Sequence, residues 1–124
     1  MPVILEWPQP PPPPAAAGPL GRLADAVGRR LAAAAADPRL EIRLRLDPAA
    51  PVALHIRSGP AAATLVGREP SDLSGGAYWF LEQLGFLFEF SCEYPPEAPV
   101  TAFPTLDRTF GLPIRQRGIR LHLN

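Results

Sequence analysis

The chain has 124 residues, of which 47% are apolar, so it is long enough for one domain with a modest core and is not a disordered tail. Twelve arginines balance twelve acidic residues, and a net charge of zero provides no overall field that would attract nucleic acid or an anionic membrane. Cys92 is the only cysteine, which excludes a disulfide framework and a cysteine-based metal site.

The first predicted elements are a strand and a proline-rich connector. Residues 3–7 form a short apolar run that Pro8 ends. Within the connector at residues 8–14, five consecutive prolines predict a stiff polyproline II segment. We interpret it as a rigid link to the next helix. A ligand for an aromatic-groove module is the alternative, although no basic residue flanks the run to orient it on a partner.

A helix is predicted at residues 20–36. Its apolar residues, among them Leu20, Val27 and Leu31, fall on one face at helical spacing. The alanine-rich sequence also favours helix, and Pro38 marks its end. We expect this helix to be part of the scaffold.

Three strands are predicted next. Residues 40–46 alternate between apolar and charged side chains, which is typical of a strand in a partly exposed sheet. Residues 52–57 and 62–67 predict two more strands, joined by a Ser-Gly-Pro turn. His55 lies in the first of these two, with no His, Asp or Glu nearby at ligand spacing. We therefore expect a half-buried sheet histidine rather than a metal ligand or a general base.

A second helix follows a polar segment in which Ser71 or Ser74 can cap it. It runs to about Leu84, and Gly85 stands in the C′ position that commonly ends helices.

The last third of the chain contains fewer periodic features. Residues 86–90 predict a further strand, and the proline-rich residues 91–113 predict an ordered but irregular connection. Residues 119–124 again alternate between apolar and polar side chains, as the first strand of another unit would.

Taken in order, these elements predict an α+β fold. We expect a mixed sheet of four to five strands with two helices packed on one face, in the order β-α-β-β-α-β. No apolar run approaches the roughly 18 residues that cross a bilayer, so no membrane partner is predicted. The sequence shows no secretory signal, which leaves a cytoplasmic location, or secretion after removal of a leader, both open.

Two short motifs carry a resemblance to a known group of enzymes. Residues 75–88, GGAYWFLEQLGFLF, resemble the second-helix motif of the domain that precedes the catalytic barrel in β-hexosaminidases (glycoside hydrolase family 20) and α-glucuronidases. The positions that match are Gly75, Gly76, Ala77, Tyr78, Leu81, Leu84 and Gly85. Residues 117–122, RGIRLH, are similar to the Arg-Gly-x-x-Leu-Asp sequence that opens the first barrel strand in the hexosaminidases.

The resemblance implies a division of the chain. Residues 1–113 would be the accessory α+β domain, and residues 114–124 the start of a truncated catalytic barrel. Because active sites of such barrels lie at the C-terminal ends of their strands, Arg120, His122 and Asn124 would help to line a carbohydrate pocket in a longer parent protein. His122 stands where the hexosaminidase motif has Asp, so the resemblance does not imply that this chain shares the substrate specificity of the hexosaminidases. A polar tail is the alternative for these three residues.

The two adjacent aromatic residues of the helix motif have two interpretations. Tyr78 and Trp79 supply amphipathic surface that packs in a core or at an interface. A platform on which a sugar stacks is the functional alternative. The two preceding glycines, Gly75 and Gly76, let the helix approach a sheet closely.

The sequence predicts no catalytic residues, metal or cofactor. Its carboxylates are scattered, whereas glycoside hydrolysis needs two flanking carboxyl groups or one with an assisting substrate group. No phosphate-binding glycine loop or nucleophile-elbow serine is present.

The predicted function is therefore a non-catalytic accessory domain of a glycoside hydrolase. It would buttress a downstream catalytic barrel of the same polypeptide and would expose an apolar patch where that barrel docks. Carbohydrate would be a partner only in the parent enzyme. The alternative is a stand-alone module that binds protein or carbohydrate through the proline run or the surface at Tyr78 and Trp79.

Overall fold

The computed structural model describes residues 3–7, 14–89 and 92–111. In these ranges the chain forms two helices and seven strands. In chain order they are β1 (Val3–Glu6), α1 (Pro14–Ala34), β2 (Glu41–Leu46), β3 (Leu54–Ser58), β4 (Ala62–Gly67), α2 (Pro70–Gln83), β5 (Leu87–Glu89), β6 (Cys92–Tyr94) and β7 (Leu106–Phe110).

The main sheet has five strands in the order β1-β2-β4-β3-β7. Strands β1, β2 and β4 are parallel, whereas β3 is antiparallel to both of its neighbours, β4 and β7. Strands β5 and β6 form a separate two-stranded hairpin. The mixed sheet and the two helices confirm the α+β fold that the sequence predicts.

Both helices pack on one face of this sheet and contact each other. The alternation in β2 places Ile42 and Leu44 on that face, where they are at most 1% exposed, while Arg45 on the opposite face is exposed. The fully buried side chains come from the sheet and from both helices and include Leu20, Val27, Leu31, Ile42, Leu44, Leu54, Ile56, Leu65, Leu73, Phe80 and Leu81. Burial of this one apolar layer is the main favourable contribution to the stability of the fold.

Helix α1 begins earlier than predicted, at Pro14 rather than at residue 20, and ends at Ala34. Proline suits the first turn of a helix because its missing N–H would have no intrahelical acceptor there. Pro19 lies inside the helix, one residue before the predicted start. Pro14, the last residue of the predicted connector at residues 8–14, therefore belongs to the helix, and residues 8–13 lie outside the described ranges.

One of the two predictions for the ends of helix α2 is wrong and the other is confirmed. The predicted cap by Ser71 or Ser74 is wrong, since Glu69 is the N-cap residue and Pro70 occupies the first helical position. Gly85 was predicted to end this helix at the C′ position, and its φ of 109°, in the left-handed region, confirms this.

At the C-terminal end of α2, the N–H of Gly85 donates to the carbonyl of Glu82, and the N–H of Phe86 donates to that of Leu81. These two bonds form a Schellman motif, which redirects the chain from the helix into β5.

One prediction for the last third of the described chain is confirmed and another is wrong. The strand predicted at residues 86–90 is confirmed as β5, which among the described residues pairs with β6 and not with the main sheet. Residues 91–113, predicted to be irregular, contain β6 and also β7, which forms an edge of the main sheet beside β3. The sequence of β7 has no clear apolar alternation, and its pairing joins residues about fifty positions apart, as in the contact between His55 and Asp107 with a separation of 52.

None of the helices in the described ranges is long and apolar enough to cross a membrane.

Candidate functional site

Tyr78 is half-buried on the side of α2 that faces α1 and the hairpin. Its ring meets the ring of Phe88 edge-on, with 5.3 Å between centroids. The guanidinium carbon of Arg30, on α1, lies 5.5 Å from the centre of the Tyr78 ring. Tyr78 is thus enclosed by an aromatic and a cationic contact that both have favourable geometry.

Trp79, also half-buried, contacts a different part of the molecule. Its ring lies 5.5 Å from that of Phe110 on the edge strand β7, at an interplanar angle of 74°. The guanidinium of Arg108 lies over the indole at 5.5 Å. Because Tyr78 and Trp79 contact different elements, their rings do not form one shared platform, and a sugar-stacking role for either stays a prediction.

Arg30 connects the hairpin to α1 through an ion pair of two hydrogen bonds. Its Nε donates to Glu93 Oε2 at 2.8 Å and its Nη2 donates to Glu93 Oε1 at 2.7 Å, while Nη1 donates to the carbonyl of Ala26 at 2.9 Å. The hydrogen bonds to Glu93 raise the pKa of the Arg30 guanidinium. This contact and the ring contact of Phe88 hold one face of the hairpin against the helices.

The opposite face of the hairpin points outward. Side chains alternate along strands, so Leu87 and Glu89 of β5 share this face with their cross-strand partners Tyr94 and Cys92. Leu87 is 48% exposed and Tyr94 is 49% exposed, and no other large apolar side chain among the described residues is exposed. We call these four residues the hairpin outer face.

A groove runs beside the hairpin outer face. It is lined by Leu87, Glu89 and Tyr94 of the hairpin, by Leu84 and Gly85, and by residues 95–98. A second groove, of about 750 Å³, lies between residues 95–99 and the alanine-rich C-terminal end of α1. The Pro95-Pro96 segment therefore forms a ridge between two largely apolar grooves.

The ridge is held in place by backbone pairing at its far end. The N–H of Val100 donates to the carbonyl of Ala34, and the N–H of Ala36 donates to the carbonyl of Val100, both at 2.8 Å. Val100 is itself buried in the core. The ridge therefore has a defined position relative to α1.

The open face of the main sheet carries polar contacts that the sequence did not reveal. His55 Nε2 lies 2.7 Å from Asp107 Oδ1, and Arg57 Nε lies 3.9 Å from Asp107 Oδ2. His55 is half-buried, as predicted. Asp107 lies 52 residues away in the sequence and reaches His55 through the pairing of β3 with β7, so local spacing does not reveal it. Within the described ranges, no group of three or more His, Cys, Asp or Glu residues could hold a metal ion.

Charged side chains cover the other half of this open face. Arg43 pairs with Glu41 at 2.7 Å and with Glu6 at 3.2 Å, and Arg45 pairs with Glu6 at 2.9 Å. The hydrogen bond to Glu41 raises the pKa of Arg43. These positions alternate with the buried apolar residues of β1 and β2, which is why the sequence could place them on the wet face of the sheet.

One carboxyl group is buried. Asp72, in the first turn of α2, is 2% exposed, and its Oδ1 has no hydrogen-bond partner in the structure. Burial raises the pKa of Asp72, although a hydrogen bond from the backbone of Glu69 opposes the shift. Asp72 lies inside the fold and not on a substrate-accessible surface.

The remaining predicted site residues, Arg120, His122 and Asn124, lie outside the described residues. The same holds for residues 114–124 as the predicted start of a barrel. Comparison with known proteins found no matching family model, no matching curated protein and no matching solved structure.

Proposed function

We propose that this chain is a non-catalytic accessory domain of a carbohydrate-active enzyme, which buttresses a catalytic barrel that follows it in the same polypeptide. The observation that carries the proposal is the hairpin outer face, where Leu87 and Tyr94 are each about half exposed side by side. Contiguous exposed apolar surface favours contact with another molecule or domain, because the contact removes that surface from water. The motif resemblance at residues 75–88 and at residues 117–122 suggests that this contact is the barrel.

The helix motif also has a physical role in this fold. A Cβ atom on Gly76 would lie 2.7 Å from Leu54 Cδ2 on β3, so only glycine lets α2 approach the sheet this closely. Gly75 is buried as well. The part of the resemblance that concerns close helix packing is therefore consistent with the proposal.

The carboxylates of the described residues support a non-catalytic role. Glycoside hydrolysis normally needs a carboxyl group with a raised pKa beside the scissile bond. Here five carboxylates are held in ion pairs, namely Glu6, Asp37, Glu41, Glu93 and Asp107. Asp72, whose pKa is raised, is buried in the first turn of α2.

Two experiments test the proposal. The purified chain is expected to leave aryl glycosides unhydrolysed, and hydrolysis that copurifies with the chain would overturn the accessory role. The DNA after the codon for Asn124 is expected to encode an open frame of roughly 250 residues, the size of a barrel domain, with a paired-acid motif. A stop codon there would overturn the proposed connection to a barrel.

The alternative, a stand-alone protein-binding or carbohydrate-binding module, makes different predictions. In a Trp7→Phe background Trp79 is the only tryptophan, and a carbohydrate site at this residue would change its fluorescence during titration with oligosaccharides. Removal of residues 117–124 provides a second test. Under the accessory role the unfolding free energy should hardly change, because all described strands and helices precede residue 112. A stand-alone module should lose stability.

A further inference from the structure

The hairpin outer face and the adjacent groove have a distinctive charge pattern. Apolar surface from Leu87, Tyr94 and the Pro95-Pro96 ridge forms the centre. The charged side chains that line this groove are Glu89 and Glu97, and both residues are exposed. No ion pair within 4 Å joins either carboxylate to another residue of the described ranges. The surface is thus an apolar patch with an acidic rim.

We propose that this surface docks a protein partner whose contact face is apolar with a rim of arginine or lysine. Complementary charge around an apolar centre favours encounter and excludes partners of the wrong sign. That the partner is the catalytic domain rests on the proposed function. The chemistry of the contact rests on the groove alone.

The same charge pattern argues against a second copy of the chain as the occupant. A two-fold interface would bring the same patch of both subunits together, so Glu89 and Glu97 would face their own copies. Like charges placed together at an interface disfavour association. An anionic membrane surface is disfavoured for the same reason.

The hairpin is also anchored on its inner face. Its inner face is fixed by the Arg30–Glu93 ion pair and by the stacking of Phe86 and Phe88, whose rings are 6.0 Å apart with an interplanar angle of 8°. Leu87 and Tyr94 are therefore presented with little loss of conformational entropy on binding.

The test uses the full chain and two synthetic helical peptides of equal length. Both peptides carry the same leucine and alanine face, flanked by arginine in one and by glutamate in the other. Fluorescence anisotropy at low ionic strength is expected to show about tenfold tighter binding of the arginine peptide, or about 1.4 kcal/mol. The preference should shrink at about 0.15 M salt, where the Debye length is about 8 Å.

Variants locate the contact on the chain. Glu89→Gln with Glu97→Gln should abolish the preference between the peptides, and Leu87→Ser with Tyr94→Ser should abolish binding of both. The matched control, Asp25→Asn with Glu69→Gln, removes two exposed carboxylates elsewhere on the surface and should leave the preference unchanged. Circular dichroism checks that each variant is folded, and the glutamine pair tests the proposal even if the serine pair does not fold.

Three outcomes would overturn the inference: equal affinity for the two peptides, a preference that survives Glu89→Gln with Glu97→Gln, or a dimer in light scattering that Leu87→Ser with Tyr94→Ser dissociates. The last result would identify a second copy as the occupant. None of them depends on a downstream barrel, so hydrolysis by the chain or a stop codon after Asn124 would refute the proposed function and leave the peptide result standing.

Discussion

His55 Nε2 lies 2.7 Å from Asp107 Oδ1, and this contact joins β3 to the edge strand β7 on the open face of the main sheet. The hydrogen bond to His55 lowers the pKa of the Asp107 carboxyl, and the nearby charges of His55 and Arg57 act in the same direction. A carboxyl group whose pKa is lower in the folded state than in the unfolded state stabilises the fold when it is ionised.

Asp107→Asn is therefore expected to reduce stability at neutral pH and to have less effect in acid. The contribution of the wild-type carboxylate is present above its unfolded pKa of about 4 and is lost as the pH falls through its lower folded value. Urea unfolding of both proteins at a series of pH values from about 2 to 6 measures this difference. The two stability curves should converge at the acidic end.

The matched control is Asp25→Asn, which removes an exposed carboxylate on α1 that makes no ion pair with any described residue. Its stability curve should run parallel to that of the wild type. Curves for Asp107→Asn that stay a constant distance from the wild type down to the lowest pH would show that the contact with His55 does not stabilise the ionised carboxyl.

The contrast between β2 and β7 explains how much of the fold could be predicted. Strand β2 alternates between apolar and charged residues, and this local pattern already defines its buried and exposed faces. Strand β7 has no such pattern, and it becomes a strand because β3 offers it a sheet edge across a long stretch of chain. Tertiary pairing of this kind leaves no local signal in the sequence.

The sequence predicts that the candidate site is an exposed apolar patch, but it does not predict which residues form the patch. Its position at Leu87 and Tyr94 is not predicted, because residues 91–113 predict an irregular connection and not the strand β6 that pairs with β5. The hairpin arises from the pairing of β5 with β6, which places Phe88 inward and its neighbour Leu87 outward. The contact of Asp107 with His55 could not be predicted, because it depends on the same long-range pairing of β3 with β7.

Gly76→Ala is expected to destabilise the fold by about 1 to 3 kcal/mol, the usual range for overpacking a core. The new Cβ would lie 2.7 Å from Leu54 Cδ2 and 2.9 Å from its Cδ1, so the fully buried Leu54 side chain or the helix has to shift within the core. Thermal or urea unfolding measures the change.

Gly21→Ala is the matched control because it makes the same substitution in α1, where a Cβ would meet no atom within 4 Å. Alanine has the higher helix propensity, so this variant should be more stable by up to about 1 kcal/mol. Equal effects of the two substitutions would show that the contact of α2 with β3 does not require a glycine.

Glu93→Gln is expected to loosen the hairpin with little effect on global stability. The change weakens the two hydrogen bonds that Arg30 donates to Glu93, and a partly exposed ion pair is worth less than about 1 kcal/mol. Hydrogen exchange of the amides in β5 and β6 should become faster, while amides of β2 and β4 keep their protection. Glu97→Gln makes the same change at an exposed carboxylate that forms no ion pair with any described residue, and it should leave the exchange of β5 and β6 unaltered.

Asp72→Asn is expected to stabilise the protein at neutral pH. Burial raises the pKa of Asp72 above its unfolded value, so the wild-type fold loses stability as the pH rises from the unfolded pKa to the folded one. Asparagine has nearly the same shape, stays neutral and can still accept the hydrogen bond from the backbone of Glu69. The gain should therefore appear in urea unfolding at pH 7 and vanish at low pH, where the wild-type carboxyl is protonated in both states. A variant that is less stable than the wild type at pH 7 would mean that the Asp72 carboxylate stabilises the start of α2 by more than its burial disfavours it.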